Sequence, residues 1–225
     1  MGAHHFPHRP AAVFFVGDSI TLGWRDENLG GWPARLIGAL PTASPGNSTT
    51  MYNLGVRGDT SDDIAKRWHD EVRRRRRVQG TAVVFAFGIN DAKMNANGVL
   101  ALGEGRTRAN VADILATATL DHRVLFIGPT PVEEVALHQH LNAAGDQAMP
   151  SNSSIGEISA IISEQAALAG VPFLDLFEAL SGDARWLATL RQTDGLHPPA
   201  DGHDIIAGAV GAWQPWTTLF AERRS

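Results

Sequence analysis

The sequence predicts an α/β fold in which a five-stranded parallel β-sheet is covered by helices on both faces. Five short apolar runs recur along the 225 residues, and segments with helical periodicity lie between them. Strands and helices that alternate in this way are typical of a parallel sheet with two helical layers. Small and polar residues follow the ends of the runs, as expected at the edge of a sheet where ligands bind.

The first apolar run is the clearest strand. It is followed directly by Gly17, Asp18 and Ser19 and then by helix-compatible sequence, which is typical of a buried parallel strand that ends in a tight turn. The predicted strands are Ala12–Val16, Thr50–Asn53, Ala82–Phe87, Arg123–Ile127 and Val171–Leu174.

The segments between the strands have the spacing of amphipathic helices. Thr60 is followed three residues later by Asp63, which predicts an N-cap with a carboxylate in the first turn of the second helix. Arg73 to Arg77 are predicted to form the basic C-terminal end of the same helix. The predicted helices lie near Gly31–Leu40, Asp62–Val78, Glu104–Thr119, Ile155–Leu168 and Asp201–Leu219.

The chain shows no internal repeat or linker, so we predict a single domain over residues 1–225, with residues 1–10 disordered. Two segments, Ala92–Gly103 and Pro131–Pro150, are predicted to be long loops at the ligand-binding edge that shape the substrate site. His138 and His140 belong to the second loop and are not predicted to bind a metal.

Composition excludes several kinds of protein. The net charge of −5 argues against a nucleic-acid partner, and the absence of cysteine excludes disulfides and thiolate chemistry. No apolar segment approaches the roughly 20 residues that span a bilayer, and the N-terminus lacks a signal-peptide pattern. We therefore expect a cytoplasmic protein without a membrane span, a metal or a cofactor. Arg57-Gly58-Asp59 is predicted to be a turn.

Ser19 is the candidate nucleophile because it lies where the first strand ends and a helix begins. Backbone N–H groups at such a position point outward and stabilise negative charge. Serine is also a common N-cap, so the position alone leaves both interpretations open. Asp18 is predicted to bind backbone N–H groups of the turn and not to act as an acid.

Asp194 and His197 are three residues apart, just before the last predicted helix. At that spacing the carboxylate can reach the near ring nitrogen of the histidine, as the orienting acid of a hydrolytic triad does. Taken alone, the pair is more typical of a capped turn with a surface histidine. His203 lies within the helix and is predicted to pack or cap.

Four segments together resemble the conserved blocks of the SGNH hydrolases, also called the GDSL esterase/lipase family. They occur in the family's order over about residues 12–210. The resemblance implies a three-layer α/β/α sandwich of the flavodoxin-like type. The four segments are Gly17–Thr21, Asn53–Gly55, Gly88–Asp91 and Asp194–Pro198.

The resemblance also implies a role for each site residue. Ser19 is expected to be the nucleophile, His197 the general base and acid, and Asp194 the group that orients His197. The oxyanion hole is expected to consist of the Ser19 and Gly55 backbone N–H groups and the Asn90 side-chain amide.

The function expected from this resemblance is hydrolysis of carboxylic esters, on a small-molecule substrate. We expect short- to medium-chain acyl groups because no segment resembles a lipase lid or an interfacial amphipathic helix. Thioesterase, carbohydrate deacetylase and acyltransferase activities use the same triad and stay open. A module that binds a nucleotide or phosphate is the alternative of a different class, but the glycine-rich and Walker motifs it requires are absent. Trp24 and Trp32 are expected either to wall an acyl pocket or to pack in the core.

Overall fold

The computed structural model describes residues 9–27, 30–40, 49–76, 80–95, 97–144 and 149–221. Within these residues, five parallel strands form one sheet and two short antiparallel strands pair beside it. The sheet contains β1 (Ala12–Gly17), β2 (Thr50–Gly55), β3 (Thr81–Ala86), β5 (Arg123–Ile127) and β7 (Phe173–Leu174). The short pair is β4 (Lys93–Met94) and β6 (Met149–Pro150).

The helices are arranged in two groups. In one group α3 packs against α4 and α4 against α6; in the other α9 packs against α2, α8 and α10. The helices are α1 (Ser19–Leu22), α2 (Gly31–Gly38), α3 (Ser61–Arg75), α4 (Glu104–Asp121), α5 (Glu134–Ala144), α6 (Asn152–Leu168), α7 (Leu176–Leu180), α8 (Ala184–Leu190), α9 (Ala200–Ala212) and α10 (Gln214–Phe220).

The strand order is β2-β1-β3-β5-β7, and all pairings in this sheet are parallel. The predicted three-layer, flavodoxin-like α/β fold is confirmed. The chain runs from β1 to one side of the sheet and then returns to its other side, so the order reverses next to β1. Ligands bind at such a switch point, and Ser19 follows β1 there.

Aromatic side chains fill the core on both sides of the sheet. Neighbouring residues of a strand point to opposite faces. Phe14 accordingly stacks on Tyr52 with ring centroids 5.0 Å apart, whereas Phe15 meets Trp32 edge-on at 5.3 Å. Trp32 is 1% exposed and therefore packs in the core.

Helix α3 begins at the predicted N-cap and ends within the predicted arginine run, at Arg75. Thr60 and Asp63 form a reciprocal capping box at its N-terminus. Arg73, Arg74 and Arg75 occupy its last turn, where Arg73 pairs with Asp70. Arg77 and residues 1–8 of the predicted disordered terminus lie outside the described residues.

Three sequence predictions about elements are wrong. The predicted loop Pro131–Pro150 contains α5 and β6, and Ala92–Gly103 contains β4. His138 and His140 therefore lie on a helix. The predicted final helix is two helices, separated at Trp213, because Pro215 in the first turn of α10 lacks the N–H that would continue α9.

Helices α1, α7 and α8 were not predicted because each has seven residues or fewer, too few to show a helical period. No helix in the described part of the chain has the length and apolar character needed to cross a membrane. The single-domain organisation stays a prediction.

Candidate active site

The turn after β1 places Ser19 at the first position of α1. Asp18 is the N-cap of this helix, and its Oδ1 accepts a hydrogen bond from the Ile20 N–H at 2.9 Å, as predicted. A Cβ at Gly17 would lie 2.1 Å from the Ala86 carbonyl oxygen, so the close approach of β3 requires glycine there. Ser19 itself is 3% exposed.

The structure brings Ser19, His197 and Asp194 together in one hydrogen-bonded series. Ser19 Oγ lies 2.9 Å from His197 Nε2, and His197 Nδ1 lies 2.9 Å from Asp194 Oδ2. The other carboxylate oxygen of Asp194 accepts the backbone N–H groups of Leu196 and His197 at 3.1 and 2.8 Å. The carboxylate therefore holds both the imidazole and the loop that carries it.

Helix α5 and the residue before it support this loop from behind. The Glu133 N–H donates to the Gly195 carbonyl at 2.8 Å. A Cβ at Gly195 would lie 2.3 Å from the Leu137 backbone nitrogen, and its φ of +82° also favours glycine. This support was missed in the sequence because the segment was interpreted as a loop.

Asp194 is ionised in this environment. Burial alone raises the pKa of the Asp194 carboxyl, but the hydrogen bond and charge of the His197 ring act in the opposite direction. Together with the two backbone N–H donors they hold the pKa well below its usual range. An ionised Asp194 can stabilise a positively charged His197.

The backbone N–H of Gly55, predicted to be an oxyanion donor, has a partner within the protein. Its backbone N–H donates to Asn53 Oδ1 at 2.9 Å, and Asn53 Nδ2 donates to the Thr21 carbonyl at 2.8 Å. A Cβ at Gly55 would lie 2.2 Å from the Leu22 backbone nitrogen. Position 55 therefore requires glycine, because α1 packs directly against it. Gly55 is not among the described residues that line the cleft.

Gly58 is the glycine of this segment that borders the cleft. It lines the cleft beside Ser19, its φ is +81°, and a Cβ there would meet nothing within 4 Å. Its N–H has no hydrogen-bond partner among the residues that the structure describes. The sequence signal was the predicted Arg57-Gly58-Asp59 turn, which the structure contains.

Asn90 lies against this turn and holds it. Its side chain is almost fully buried and lines the cleft, and Nδ2 donates to the Asp59 carbonyl at 2.9 Å. The next residue, Asp91, accepts the Ser61 N–H at 2.7 Å, which connects the start of α3 to the same turn. The second N–H of the Asn90 amide remains available for a ligand.

The cleft around Ser19 has a volume of about 580 Å³. Its apolar wall consists of Leu137, Leu141, Pro150 and Leu196. Helix α5 supplies two of these side chains and also His140. Trp24 lines the cleft as well, and the guanidinium of Arg57 lies 3.6 Å from the centre of its ring.

Two other titratable groups lie near the site. His203 is fully buried on α9, and burial lowers its pKa to about 4, so it is neutral and packs as predicted. Burial raises the pKa of Asp18 to about 7, although the backbone N–H groups of Ile20 and Thr21 act in the opposite direction. No group of three or more acidic or histidine side chains that could hold a metal ion occurs in the described part of the chain.

A family model described as the GDSL-like Lipase/Acylhydrolase family matches residues 15–205. The chain belongs to this family. The matched range begins in β1 and ends in α9, so it includes every residue of the site described above. Membership of the GDSL-like Lipase/Acylhydrolase family makes the protein a carboxylic ester hydrolase.

Solved structures of GDSL-type and related enzymes share the fold over nearly the whole chain. A lipase/acylhydrolase from Enterococcus faecalis is 24% identical, with a TM-score of 0.65, over 89% of this chain and 93% of that chain. An acetylxylan esterase from Geobacillus stearothermophilus is 22% identical, with a TM-score of 0.68, over 92% and 96% of the two chains. No curated protein sequence matches this member of the family significantly.

Proposed function

We propose that this GDSL-family hydrolase cleaves carboxylic esters of short- to medium-chain acyl groups through an acyl-enzyme on Ser19. The observation that carries the proposal is the continuous series of hydrogen bonds from Ser19 through His197 to the ionised Asp194. Such a series lets a neutral hydroxyl act as a nucleophile because its proton has an acceptor and the resulting cation has a counter-ion.

In the first half of the reaction Ser19 Oγ bonds to the acyl carbon of the ester while its proton passes to His197 Nε2. The tetrahedral intermediate collapses, the bond to the alcohol oxygen breaks, and His197 returns the proton to that oxygen. Water then attacks the acyl-enzyme by the same path, with His197 as base, and releases the acid and free Ser19. Asp194 keeps Nδ1 protonated throughout, so that Nε2 faces Ser19 as the acceptor.

The negative charge of the intermediate develops on the former carbonyl oxygen. We assign its three donors as the Ser19 N–H, the Gly58 N–H and the Asn90 side-chain amide. We choose Gly58 instead of Gly55 because Gly58 lines the cleft and its N–H has no hydrogen-bond partner among the described residues. Loss of one such donor typically lowers kcat by about 10²–10³-fold.

The apolar wall supports a preference for short to medium acyl groups. Leu137, Leu141, Pro150 and Leu196 offer a limited hydrophobic surface within the cleft of about 580 Å³. The segments predicted to shape the substrate site contribute here, since α5 and β6 both belong to residues 131–150.

Removal of acetyl groups from a carbohydrate is the second candidate function. Trp24 lines the cleft together with Ser19, and an aromatic ring at such a place can pack against a sugar where Arg57 does not cover it. One solved structure of similar fold is named an acetylxylan esterase. Thioester hydrolysis and acyl transfer would use the same residues.

The cytoplasmic location and the absence of a cofactor stay predictions.

The test combines turnover with active-site labelling. Initial rates are measured on p-nitrophenyl esters from acetate to palmitate and on acetylated xylose, with Ser19→Ala as the matched variant. A fluorophosphonate probe is read by intact mass and peptide mapping. We expect hydrolysis of the shorter esters and a single adduct at Ser19, both absent in the variant.

Each other outcome has a defined meaning. Labelling at Ser19 with turnover of the sugar acetate alone would favour the second candidate. Neither labelling nor turnover, in a protein that is folded by circular dichroism, would overturn the proposed mechanism. Equal turnover by Ser19→Ala would show that another group is the nucleophile.

A further inference from the structure

The cleft around Ser19 carries more positive than negative charge in a chain whose net charge is −5. Among the described residues that line it, Arg25, Arg57 and Lys93 are cations and Asp194 is the one carboxylate. A cleft lined by one sign of charge concentrates substrates of the opposite sign. The local charge therefore differs from what the overall composition suggests.

The positive charge of Arg25 already has a partner in the site, the carboxylate of Asp194. Its Nε lies 3.6 Å from Asp194 Oδ2, the same oxygen that faces His197 Nδ1. Arg57 and Lys93 differ from it, because neither forms an ion pair with a carboxylate among the described residues. These two side chains are the cations available to a ligand.

Ion pairs with carboxylates are common for the other cations of this protein, although Arg9, Arg74 and Arg185 also form none among the described residues. Ion pairs are made by Arg35, Lys66, Arg67, Arg73, Arg75, Arg76, Arg106, Arg108 and Arg191.

Arg57 is held in place although its side chain is exposed. Its guanidinium lies 3.6 Å from the centre of the Trp24 ring, a cation–π contact that orients the planar group. Stacking uses the face of the guanidinium and leaves its N–H edges free to donate to a carboxylate or phosphate. Arg57 is thus an oriented hydrogen-bond donor for an anion in the lining of the cleft.

Both cations adjoin the proposed oxyanion donors in the chain. Arg57 precedes Gly58 directly, and Lys93 follows Asn90 by three residues, at the start of the short pair formed by β4 and β6. All four residues line the same cleft. An anionic group on the substrate can therefore contact these side chains while its ester carbonyl lies between Gly58 and Asn90.

We infer that the preferred ester carries a second, negatively charged group, a carboxylate or phosphate, which Arg57 and Lys93 bind while Ser19 attacks the ester carbonyl. This inference rests on the proposed function. It adds a substrate class and two specificity-determining residues that the triad and the apolar wall do not require.

The test compares esters that differ only in charge. Mono-(4-nitrophenyl) succinate is compared with its methyl ester, which places the charge on the acyl side. The acetates of 4-hydroxyphenylacetic acid and of 4-hydroxybenzylphosphonic acid are compared with their methyl esters, which places a carboxylate or a phosphonate on the alcohol side. We expect at least one anionic ester to have a kcat/KM about three- to tenfold above that of its neutral partner, which corresponds to the net contribution of one hydrogen bond of ordinary strength.

Four variants locate the effect, and the last of them is a control outside the cleft. Arg57→Gln and Lys93→Gln should each reduce the ratio of anionic to neutral kcat/KM by about threefold, and salt at about 0.5 M should reduce it in the wild type. Arg57→Lys keeps the charge but loses the planar donor, and should recover part of the ratio. Arg74→Gln removes one exposed charge at the end of α3, outside the cleft, and should leave the ratio unchanged.

The failures of the two proposals are distinguishable. Turnover of the neutral esters without any preference for charge would overturn this inference and leave the proposed function intact. A preference that survives in both Gln variants would also overturn it. Absence of turnover on all six esters, with no labelling of Ser19, would overturn the proposed function and this inference with it.

Discussion

The backbone N–H of Gly55 donates to Asn53 Oδ1 over 2.9 Å, and this bond decides which glycine near the end of β2 can face a substrate. With its N–H engaged and no room for a Cβ beside Leu22, Gly55 is part of the support for α1. The chain reaches the cleft two and three residues later, at Arg57 and Gly58, where the turn is held by the Asn90 side chain.

Alanine substitutions at the two glycines should separate these roles. Gly55→Ala places a Cβ 2.2 Å from the Leu22 backbone nitrogen, so we expect a large loss of thermal stability or failure to fold. Gly58→Ala meets no atoms within 4 Å but strains a φ of +81°, which costs about 1–2 kcal/mol and turns the N–H away from the oxyanion. We expect Gly58→Ala to fold and to lose at least about tenfold in kcat. A folded Gly55→Ala protein with a greater loss of kcat would reverse the assignment.

Asn90→Ala should lower kcat by about 10²–10³-fold because it removes one donor to the oxyanion. Thermal unfolding should show a smaller change, from the lost bond to the Asp59 carbonyl. Asn110→Ala is the matched control, since this buried amide binds Ser61 and lies outside the cleft. It should alter stability but not kcat. Comparable kcat values for the two variants would contradict the role of Asn90.

Asp194→Asn should lower kcat at neutral pH by about 10³–10⁴-fold while the protein stays folded. Asparagine retains an oxygen for the Leu196 and His197 N–H groups but loses the charge that faces His197. Asp183→Asn is the control, because Asp183 likewise accepts N–H groups two and three residues ahead, at the start of α8. A loss of stability that accounts for the missing activity would indicate a structural role for Asp194.

Asp18 should make stability depend on pH. Its folded-state pKa is raised to about 7 by burial, above the value of about 4 expected for the unfolded chain. The stability it contributes is therefore full below about pH 4 and is lost as the pH rises through about 7. Asp18→Asn keeps an acceptor for Ile20 N–H and removes this dependence.

The difference in free energy of unfolding between Asp18→Asn and the wild type should therefore grow with pH. We expect it to increase by up to about 1.4 kcal/mol per pH unit between those two values and then become constant. Urea unfolding from pH 4 to 8 measures it. Parallel curves over the whole range would show that Asp18 is ionised at a normal pKa.

The local patterns were sufficient for most of the fold. Fully buried strands such as β1 appear as short apolar runs, and long helices such as α4 have enough turns for a period to emerge. Helix α5 was missed because the segment that contains it is bounded by Pro131 and Pro150 and resembles a loop. Its role behind the Asp194–His197 loop depends on contacts between residues far apart in the chain, which no local pattern contains.

The residues of the site also fall into those that local sequence patterns predict and those that only long-range contacts bring together. The sequence alone determines that Ser19 follows a buried strand and that Asp194 lies three residues before His197, since turn chemistry and spacing are local properties. Only the tertiary structure distinguishes Gly58 from Gly55, because the choice depends on how closely α1 packs over the end of β2. The same holds for Arg57 and Lys93, which are 36 positions apart yet line one cleft because parallel strands deliver their following residues to the same edge of the sheet.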